Sequence, residues 1–204
     1  AYGKIIPKNM LNLKNIKFIN IHASLLPKWR GAAPIQRSII AMDGETGISI
    51  MKIVPQLDAG PFMLQKKIII KKDDNYTSLS IKLSKLGSEA ILEALHLIEN
   101  ESLEWINQNE KKVTYAKKIL KQESQINWNQ PAKQLIAKIR GLNPYPGVWF
   151  KHKKVKIKII DAVEVFVSGN TGEVIDDNLT IACKENSIKV LSLQKEGKKI
   201  LKVK

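Results

Sequence analysis

The chain has 204 residues, of which 44% are hydrophobic and 26% are charged, and its formal net charge is +15. This balance is typical of a folded globular protein and excludes an intrinsically disordered chain. No apolar run has the length that a membrane-spanning helix needs, so no membrane partner is expected. The single cysteine, Cys183, excludes an internal disulfide and is predicted to be a small buried strand residue.

The positive charge is concentrated in the second half of the chain. Residues 1–103 contain 14 basic and 9 acidic residues, whereas residues 104–204 contain 20 basic and 10 acidic residues. Such a field attracts polyanions, so nucleic acid is a natural partner for the second half. A second interpretation stays open at this point, because 31 of the 34 basic residues are lysines and excess lysine can simply be solvated surface.

The first half alternates between strand and helix patterns. Residues 16–22 and 47–54 are short and apolar, as buried strands are, and a third strand is predicted over about residues 66–70. A short helix is predicted over residues 33–42, and a longer one over residues 77–100, where leucines recur at helical spacing. The strand–helix–strand order predicts an α/β domain with a mainly parallel sheet.

The second half begins with a polar stretch over residues 104–122, which is interpreted as a linker. A short helix is predicted from Pro131 to Arg140, with Gly141 as its C-cap. The remainder has the pattern of short strands separated by turns, which favours a small antiparallel β-barrel of the OB type over residues 123–204. The predicted strands cover residues 155–167, 172–175, 179–183 and 188–194.

The first domain is expected to be incomplete. A doubly wound, Rossmann-like domain needs about five or six strand–helix units, and residues 1–103 supply about half of them. The chain also begins with Ala. We therefore expect residues 1–103 to be the C-terminal half of such a domain, without its first strands.

Two polar residues end the first predicted strand. Asn20 and His22 are two positions apart, so their side chains point to the same face of the strand. In open α/β sheets, ligands bind beyond the carboxyl ends of parallel strands. A lone histidine is more often a packed or surface residue, but an amide and an imidazole together at a strand exit are hard to explain by packing. The pair is therefore a candidate site.

Asp58 follows the next strand in a short loop, where Gly60 is expected to let the backbone turn. By itself this aspartate would be explained by turn chemistry. If adjacent strands bring its carboxylate to the imidazole, it fixes the tautomer of His22. With Asn20, the three side chains would then supply a base, an orienting acid and an amide that stabilises an oxyanion, as acyl transfer requires.

Other kinds of site have weaker support. Ser24 has no evident base and Cys183 is predicted to be buried, so direct attack by the acceptor substrate is favoured over a covalent intermediate. His96 and His152 have no Cys or His partner at ligand spacing, so no metal is expected. The glycines form neither a dinucleotide-binding motif nor a Walker loop, which leaves nucleotide binding without support.

The residues around this candidate site closely resemble the methionyl-tRNA formyltransferase family. The resemblance is carried by NIHASLLPKWRGAAPIQ at residues 20–36 and LDAG at residues 57–60. It continues through TYAKKI (114–119), INW (126–128), IRGLNPYPGVW (139–149) and LSLQKEGKK (191–199), and so spans nearly the whole chain. The wider superfamily that uses 10-formyltetrahydrofolate shares Asn-x-His, SLLP and a later Asp. The continuation WRGAAPIQ is similar to its tRNA-formylating branch.

The resemblance implies a role for each site residue. Asn20 would stabilise the oxyanion on the formyl carbon, His22 would accept the proton of the attacking methionyl α-amine, and Asp58 would support the imidazolium. The formyl donor would be 10-formyltetrahydrofolate, bound by Ser24, Leu25, Leu26 and Pro27. Residues 1–103 would then be the catalytic formyltransferase domain.

The resemblance also implies initiator methionyl-tRNA as the acceptor, in a cytoplasmic monomer of bacterial type, or in an organelle of a eukaryote. The OB-like domain would help to hold the tRNA, which fits its net charge. Lys154, Lys156 and Lys158 are predicted to share one face of a strand, with a solvated surface as the open alternative. Lys138 and Arg140 are further candidates for tRNA contacts, although they could equally complement a helix dipole.

Three other functions stay open. A hydrolase would release formate from the same folate, with water in place of the amine. A fragment without catalytic activity would only bind RNA through residues 104–204. Formylation of a sugar nucleotide is the third alternative, and the basic barrel disfavours it.

Overall fold

The computed structural model describes residues 6–13 and 18–203, which form two compact units. The first unit comprises the described residues of Ala1–Ile35, Gly44–Lys71 and Leu79–Lys118. The second comprises those of Gln36–Asp43, Lys72–Ser78 and Ile119–Lys204. The described residues form both helices and strands, so the predicted α/β class is confirmed. Residues 16 and 17, where the first strand is predicted to begin, lie outside the described residues.

The first unit contains a three-stranded antiparallel sheet. Its strands are β1 (Ile19–His22), β2 (Glu45–Lys52) and β3 (Phe62–Ile69), in the order β1-β2-β3. The predicted mainly parallel sheet is therefore wrong for the described strands. A parallel pair needs a crossover helix that covers the sheet. Here the paired residues run in opposite directions along β1 and β2 and along β2 and β3, so both pairs are antiparallel.

Three helices accompany this part of the chain: α1 (Lys8–Leu11), α2 (Pro34–Ile40) and α3 (Tyr76–Glu99). The buried residues of α3 recur every three or four positions, which puts them on one face: Leu79, Leu83, Gly87, Ala90 and Ala94. A Cβ atom added at Gly87 would lie 3.2 Å from the Ile21 side chain and 3.7 Å from that of Ile48. Gly87 thus lets α3 pack closely on β1 and β2.

The connection between β2 and β3 makes a close backbone approach. A Cβ atom at Gly60 would lie 1.9 Å from the carbonyl oxygen of Lys52, and the Lys52 N–H donates to the Pro61 carbonyl at 2.8 Å. The φ angle of Gly60 is not in the left-handed region. Glycine is therefore needed here for space, rather than for the turn that its position in the sequence suggests.

The predicted linker is not a featureless connector. It contains one short 3-10 turn, Glu110–Lys112, and a second one, Lys121–Ser124, begins at its end. It also makes isolated β-bridges, from Ile106 to Phe62 and from Tyr115 to Arg30. These bridges attach the first part of the stretch to the first unit by backbone hydrogen bonds.

The C-terminal part of the second unit, from Ile119 onward, contains an antiparallel sheet and one α-helix. The helix is α4 (Ala132–Leu142), and the strands are β4 (Val148–His152), β5 (Val155–Val165), β6 (Thr180–Ala182), β7 (Ser187–Lys195) and β8 (Ile200–Lys202). The strand order is β4-β5-β7-β6, with β8 also paired to β7. Leu135, Ile139 and Leu142 of α4 pack into a core with the buried residues of β4, β5 and β7. Burial of this apolar face stabilises the unit.

Three features of this unit differ from what the sequence predicts. Strands β4 and β8 were not predicted, and residues 172–175 form only an isolated bridge, between Val174 and Ile181. Gly141 is not a C-cap but lies inside α4. A Cβ atom at Gly141 would lie 2.8 Å from the Ile40 side chain, so close packing explains the glycine better than helix termination.

An ion pair joins distant parts of the second unit. The guanidinium of Arg37 donates to both carboxylate oxygens of Glu123, at 2.7 and 3.1 Å. The Leu120 N–H donates to the same carboxylate at 2.8 Å. The Arg37 hydrogen bonds hold the pKa of Glu123 below its usual value, although burial opposes this shift.

Among the described residues, no helix is long and apolar enough to cross a membrane.

We predict that Gly60→Ala lowers the free energy of unfolding by about 1–3 kcal/mol, because the new methyl group overlaps the Lys52 carbonyl and the loop has to move. Gly44→Ala is the matched control, since nothing lies within 4 Å of a Cβ atom there. Urea unfolding of both variants measures the difference. Equal stabilities would show that the loop accommodates a side chain at Gly60.

We also predict that Glu123→Gln costs roughly 1 kcal/mol of stability at neutral pH, because a partly exposed bidentate pair is lost. The pKa of Glu123 is lower in the folded protein than its usual 4.5, so this stabilisation is present above 4.5 and disappears as the pH falls through the lowered value.

Unfolding measured on both sides of pH 4.5 tests this second prediction. Glu185→Gln removes the same charge from an exposed residue and serves as the control. A cost that is independent of pH, or equal in the control, would contradict the assignment to the Arg37 pair.

Candidate functional site

The site begins at the end of β1. Asn20 and His22 lie on the same face of the strand, as their spacing predicts, with Asn20 half-buried and His22 buried. Their partners across the sheet are Met51 and Ser49 in β2. The predicted juxtaposition of an amide and an imidazole is therefore present in the fold.

The His22 imidazole contacts two groups from different loops. Its Nε2 atom is 2.8 Å from the Trp29 carbonyl oxygen, and its Nδ1 atom is 3.7 Å from Oδ2 of Asp58. A carbonyl oxygen only accepts hydrogen bonds, so Nε2 carries a proton and donates it. In the neutral ring the lone pair is then on Nδ1, which faces the carboxylate. The tautomer is fixed by Trp29 rather than by Asp58, which differs from the expectation.

Asp58 reaches this position from the loop that connects β2 and β3. Its Oδ2 atom accepts a hydrogen bond from the Gly31 N–H at 2.8 Å, and its carbonyl oxygen accepts one from Gln108 at 2.8 Å. The side chain is 17% exposed. The carboxylate is therefore held between the imidazole and the loop that follows β1, and it stabilises the ring when Nδ1 is protonated.

The Ser24–Pro27 segment is held by its own hydrogen bonds. The Ser24 hydroxyl is fully buried and donates to the Lys28 carbonyl at 2.5 Å. The Ser49 hydroxyl donates to the Ser24 carbonyl, and Gln65 donates to the Leu26 carbonyl. Leu26 is buried, whereas Leu25 and Pro27 are half-buried. Of the four predicted folate-binding residues, only Leu25 and Pro27 have partly accessible side chains.

Two residues that support this segment were missed in the sequence. Ser49 is fully buried in the middle of β2, and its hydroxyl also accepts hydrogen bonds from the Leu26 N–H and from Gln65. A serine inside an otherwise apolar, β-branched strand is the signal that could have identified it, because a buried hydroxyl needs a partner. Gln65, the second of the two, lacks such a signal.

The five predicted tRNA-contacting residues have different surroundings. Lys138 donates to the Gln125 carbonyl, and Arg140 donates to the Asp74 carbonyl. Burial lowers the pKa of both groups. Lys154 lies in the turn between β4 and β5 with a φ of 68°, so it does not share a strand face with the other two lysines as predicted.

Lys156 and Lys158 do share a face of β5. The Nζ atom of Lys156 lies 4.5 Å from the centroid of the Trp149 ring in β4. The neighbour of Lys156 across the sheet is Lys151, and that of Lys158 is Trp149. This face of β4 and β5 therefore combines positive charge with an aromatic ring, as surfaces that bind nucleic acid do.

The other candidate residues stay apart from the site. His96 is exposed on α3, and His152 is exposed on β4. In the described part of the chain, no three His, Cys, Asp or Glu residues cluster as metal ligands do. Cys183 is buried, as predicted, and burial raises the pKa of its thiol to about 11. It is therefore a structural residue rather than a nucleophile.

The formyl transferase family matches residues 1–95, and the family of its C-terminal domain matches residues 118–204. The methionyl-tRNA formyltransferase of Pelagibacter ubique is 50% identical over 200 residues, which are 98% of this chain and 64% of the relative. That of Caulobacter vibrioides is 43% identical over 97% of this chain and 66% of the relative. The enzyme of the same name from Brucella canis is 43% identical, with 98% of this chain and 67% of the relative covered. The chain thus spans about two thirds of the length of these proteins.

Solved structures share the fold. HypX from Aquifex aeolicus, in complex with tetrahydrofolic acid, has a TM-score of 0.71 and 19% identity, covering 93% of this chain and 34% of that one. An N-formyltransferase from Helicobacter canadensis, in complex with folinic acid and dTDP-3-aminofucose, has a TM-score of 0.72 and 22% identity, covering 87% and 65%.

At identities of 19% and 22% these two structures support the fold alone. The family is established by the sequence relatives, which extend along nearly all of the chain and carry one name. The resemblance found in the sequence is thereby confirmed: the chain belongs to the methionyl-tRNA formyltransferase family of formyl transferases.

Proposed function

We propose that the protein transfers the formyl group of 10-formyltetrahydrofolate to the α-amino group of initiator methionyl-tRNA. The observation that carries this proposal is the grouping of Asn20, His22 and Asp58, with the imidazole 3.7 Å from the carboxylate. The names of the curated relatives agree with it. We place the reaction in translation initiation, in a cytoplasmic monomer.

Each of the three side chains has a separate task. The Asn20 amide donates a hydrogen bond to the oxygen that becomes negative as the amine adds to the formyl carbon. His22 accepts the proton of the amine at Nδ1, because Nε2 is already engaged by the Trp29 carbonyl. Asp58 then faces a positive ring and stabilises it.

A covalent enzyme intermediate is not part of this proposal. The Ser24 hydroxyl donates to a backbone carbonyl and is fully buried, and the raised pKa of Cys183 keeps its thiol protonated. The amine of the acceptor therefore attacks the formyl carbon directly. His22 takes the proton of the amine as the new C–N bond forms, and its protonated ring returns a proton to the folate nitrogen as the bond between that nitrogen and the formyl carbon breaks.

The folate supplies the formyl group, and the Ser24–Pro27 segment fits its binding. Leu25 and Pro27 are half-buried apolar residues that can contact a flat ring system. Ser49 and Gln65 fix the backbone beside them. The segment would thus meet the folate with side chains that are already ordered, which lowers the entropy lost on binding.

The acceptor tRNA is assigned to the second unit. We interpret residues 123–204 as an OB-like domain, residues 104–122 as a linker, and residues 1–103 as the C-terminal half of a Rossmann-like catalytic domain. The antiparallel sheet of β4 to β8 and the basic face around Trp149 support the OB-like interpretation. Lys156 and Lys158 are then the preferred phosphate contacts, with Lys154 beside them in the turn. Lys138 and Arg140 are less available, because each donates to a backbone carbonyl.

We predict that His22→Ala lowers kcat for formylation of charged initiator tRNA by roughly 10²–10⁴-fold, the usual contribution of a general base. Asn20→Ala should cost roughly 10²–10³-fold, as the loss of one oxyanion donor does. The assay uses the polypeptide as it is encoded, with any residues that precede Ala1.

His96→Ala, on the exposed side of α3, is the control and should keep the wild-type rate. Full turnover by His22→Ala would overturn the proposed mechanism. Formate release that aminoacyl-tRNA does not stimulate would instead indicate a hydrolase.

We predict that Lys156→Ala weakens tRNA binding and reduces the slope of log affinity against log salt by about 1, because one phosphate contact is lost. Lys158→Ala should behave in the same way. Lys85→Ala, on the exposed surface of α3, is the matched control. Unchanged salt slopes in both β5 variants would exclude this face as the tRNA contact.

A further inference from the structure

Residues 108–116 belong to the polar stretch that the sequence predicts to be a linker, and the proposed function gives them no task. Within the first unit they hydrogen-bond both loops that hold the site residues. We propose that residues 108–116 position the His22–Asp58 pair, with Gln108 and Thr114 as the two positioning residues. The expected change in kcat rests on the proposed function, whereas the expected change in the hydrogen bond of the His22 imidazole does not.

Gln108 is buried and hydrogen-bonds the backbone of the loop that contains Asp58. The residue is 9% exposed, and its Nε2 atom donates to the carbonyl oxygens of Asp58 at 2.8 Å and of Gly60 at 2.7 Å. Asp58 has a φ of 48°, in the left-handed region that residues other than glycine rarely adopt. A backbone in such a conformation persists when its surroundings fix it, and the two hydrogen bonds from Gln108 do so.

The orientation of the Gln108 amide is itself fixed. Its Oε1 atom accepts a hydrogen bond from Nε of Arg30 at 2.9 Å. Because a guanidinium only donates, the oxygen of the amide has to face Arg30, and the nitrogen then has to face the two carbonyls. Arg30 is only 3% exposed, and its other nitrogens donate to the Glu110 carboxylate at 2.7 and 3.3 Å. Glu110 neutralises the buried charge and so keeps Arg30 in place.

Thr114 holds the loop that contacts the imidazole. Its hydroxyl oxygen accepts a hydrogen bond from the Trp29 N–H at 2.9 Å, and its carbonyl oxygen accepts one from the Arg30 N–H at 2.9 Å. The Ala116 N–H donates to the Arg30 carbonyl at 2.7 Å. Trp29 has a φ of 64°, a second left-handed residue, and its carbonyl is the one that accepts from His22. The neighbours on both sides of that carbonyl are thus anchored.

These two sets of hydrogen bonds determine the distance between the His22 imidazole and the Asp58 carboxylate. The Trp29 carbonyl fixes where the His22 ring stands, and Gln108 with the Gly31 N–H fixes where the Asp58 carboxylate stands. The separation of 3.7 Å between Nδ1 and Oδ2 therefore depends on one short segment that acts through hydrogen bonds to the backbone of the two loops. Misplacing a catalytic group by about 1 Å can cost up to about 10²-fold in rate.

A matched pair of substitutions at Thr114 tests the proposal. Thr114→Val keeps the shape but removes the oxygen that accepts from Trp29, whereas Thr114→Ser keeps the oxygen. We expect Thr114→Val to lower kcat roughly 10-fold with little change in KM for the folate, and Thr114→Ser to restore the rate. Gln108→Met should lower kcat by roughly 10- to 100-fold. Lys112→Ala, an exposed residue of the same segment, is the control and should match the wild type.

A second readout does not need activity. In ¹⁵N-histidine spectra the wild type should show a hydrogen-bonded Nε2–H for His22, assigned by comparison with His96→Ala and His152→Ala. This resonance should shift in Thr114→Val and return in Thr114→Ser. A shifted resonance in an otherwise inactive protein would support positioning while contradicting the proposed function. Wild-type kcat and an unshifted resonance in Thr114→Val would overturn the positioning role, even if Gln108→Met fails to fold.

Discussion

The antiparallel pairing of β1 with β2 is the constraint on which the site depends. His22 pairs with Ser49, and Ile19 pairs with Lys52. Strand β2 therefore ends beside the start of β1, at the opposite end of the strand pair from the imidazole. The carboxylate of Asp58 reaches His22 only because the connection to β3 folds back along the sheet. That path requires the close approach at Gly60, a left-handed residue at Asp58 and the hydrogen bond from Gly31. The pairing therefore determines how far the loop has to reach, and the hydrogen bonds of the loop determine the final geometry of the pair.

The second unit illustrates a related point about charge. Its excess of basic residues overstates the number of cations that a polyanion can meet, because Lys138 and Arg140 are half-buried and bonded to backbone carbonyls. Arg37 is engaged by Glu123. Among the accessible lysines of this unit, those of β5 and the neighbouring turn combine their charge with the Trp149 ring. Affinity for nucleic acid would then come from a small surface that combines charge with stacking rather than from the net charge.

The sequence predicts well what depends on neighbouring residues along the chain. Asn20 and His22 share a face because strand side chains alternate, and the burial of Cys183 follows from its apolar context. It fails where distant segments decide. The pairing of β1 with β2 is antiparallel, Gly141 is explained by its contact with Ile40 rather than by the end of its helix, and Gln108 hydrogen-bonds residues about fifty positions away. No periodicity in the sequence encodes such contacts. Asp58 could be predicted from its motif, whereas the hydrogen bonds around Arg30 could not.

Cys183 is the single cysteine of these 204 residues, and its thiol is buried. Because the thiol is buried and burial raises its pKa to about 11, we expect alkylating reagents and spin labels to react with it slowly in the folded protein. A cysteine introduced on an exposed surface would consequently be labelled alone. The chain is thus well suited to distance measurements between single labelled positions, without removal of the native thiol.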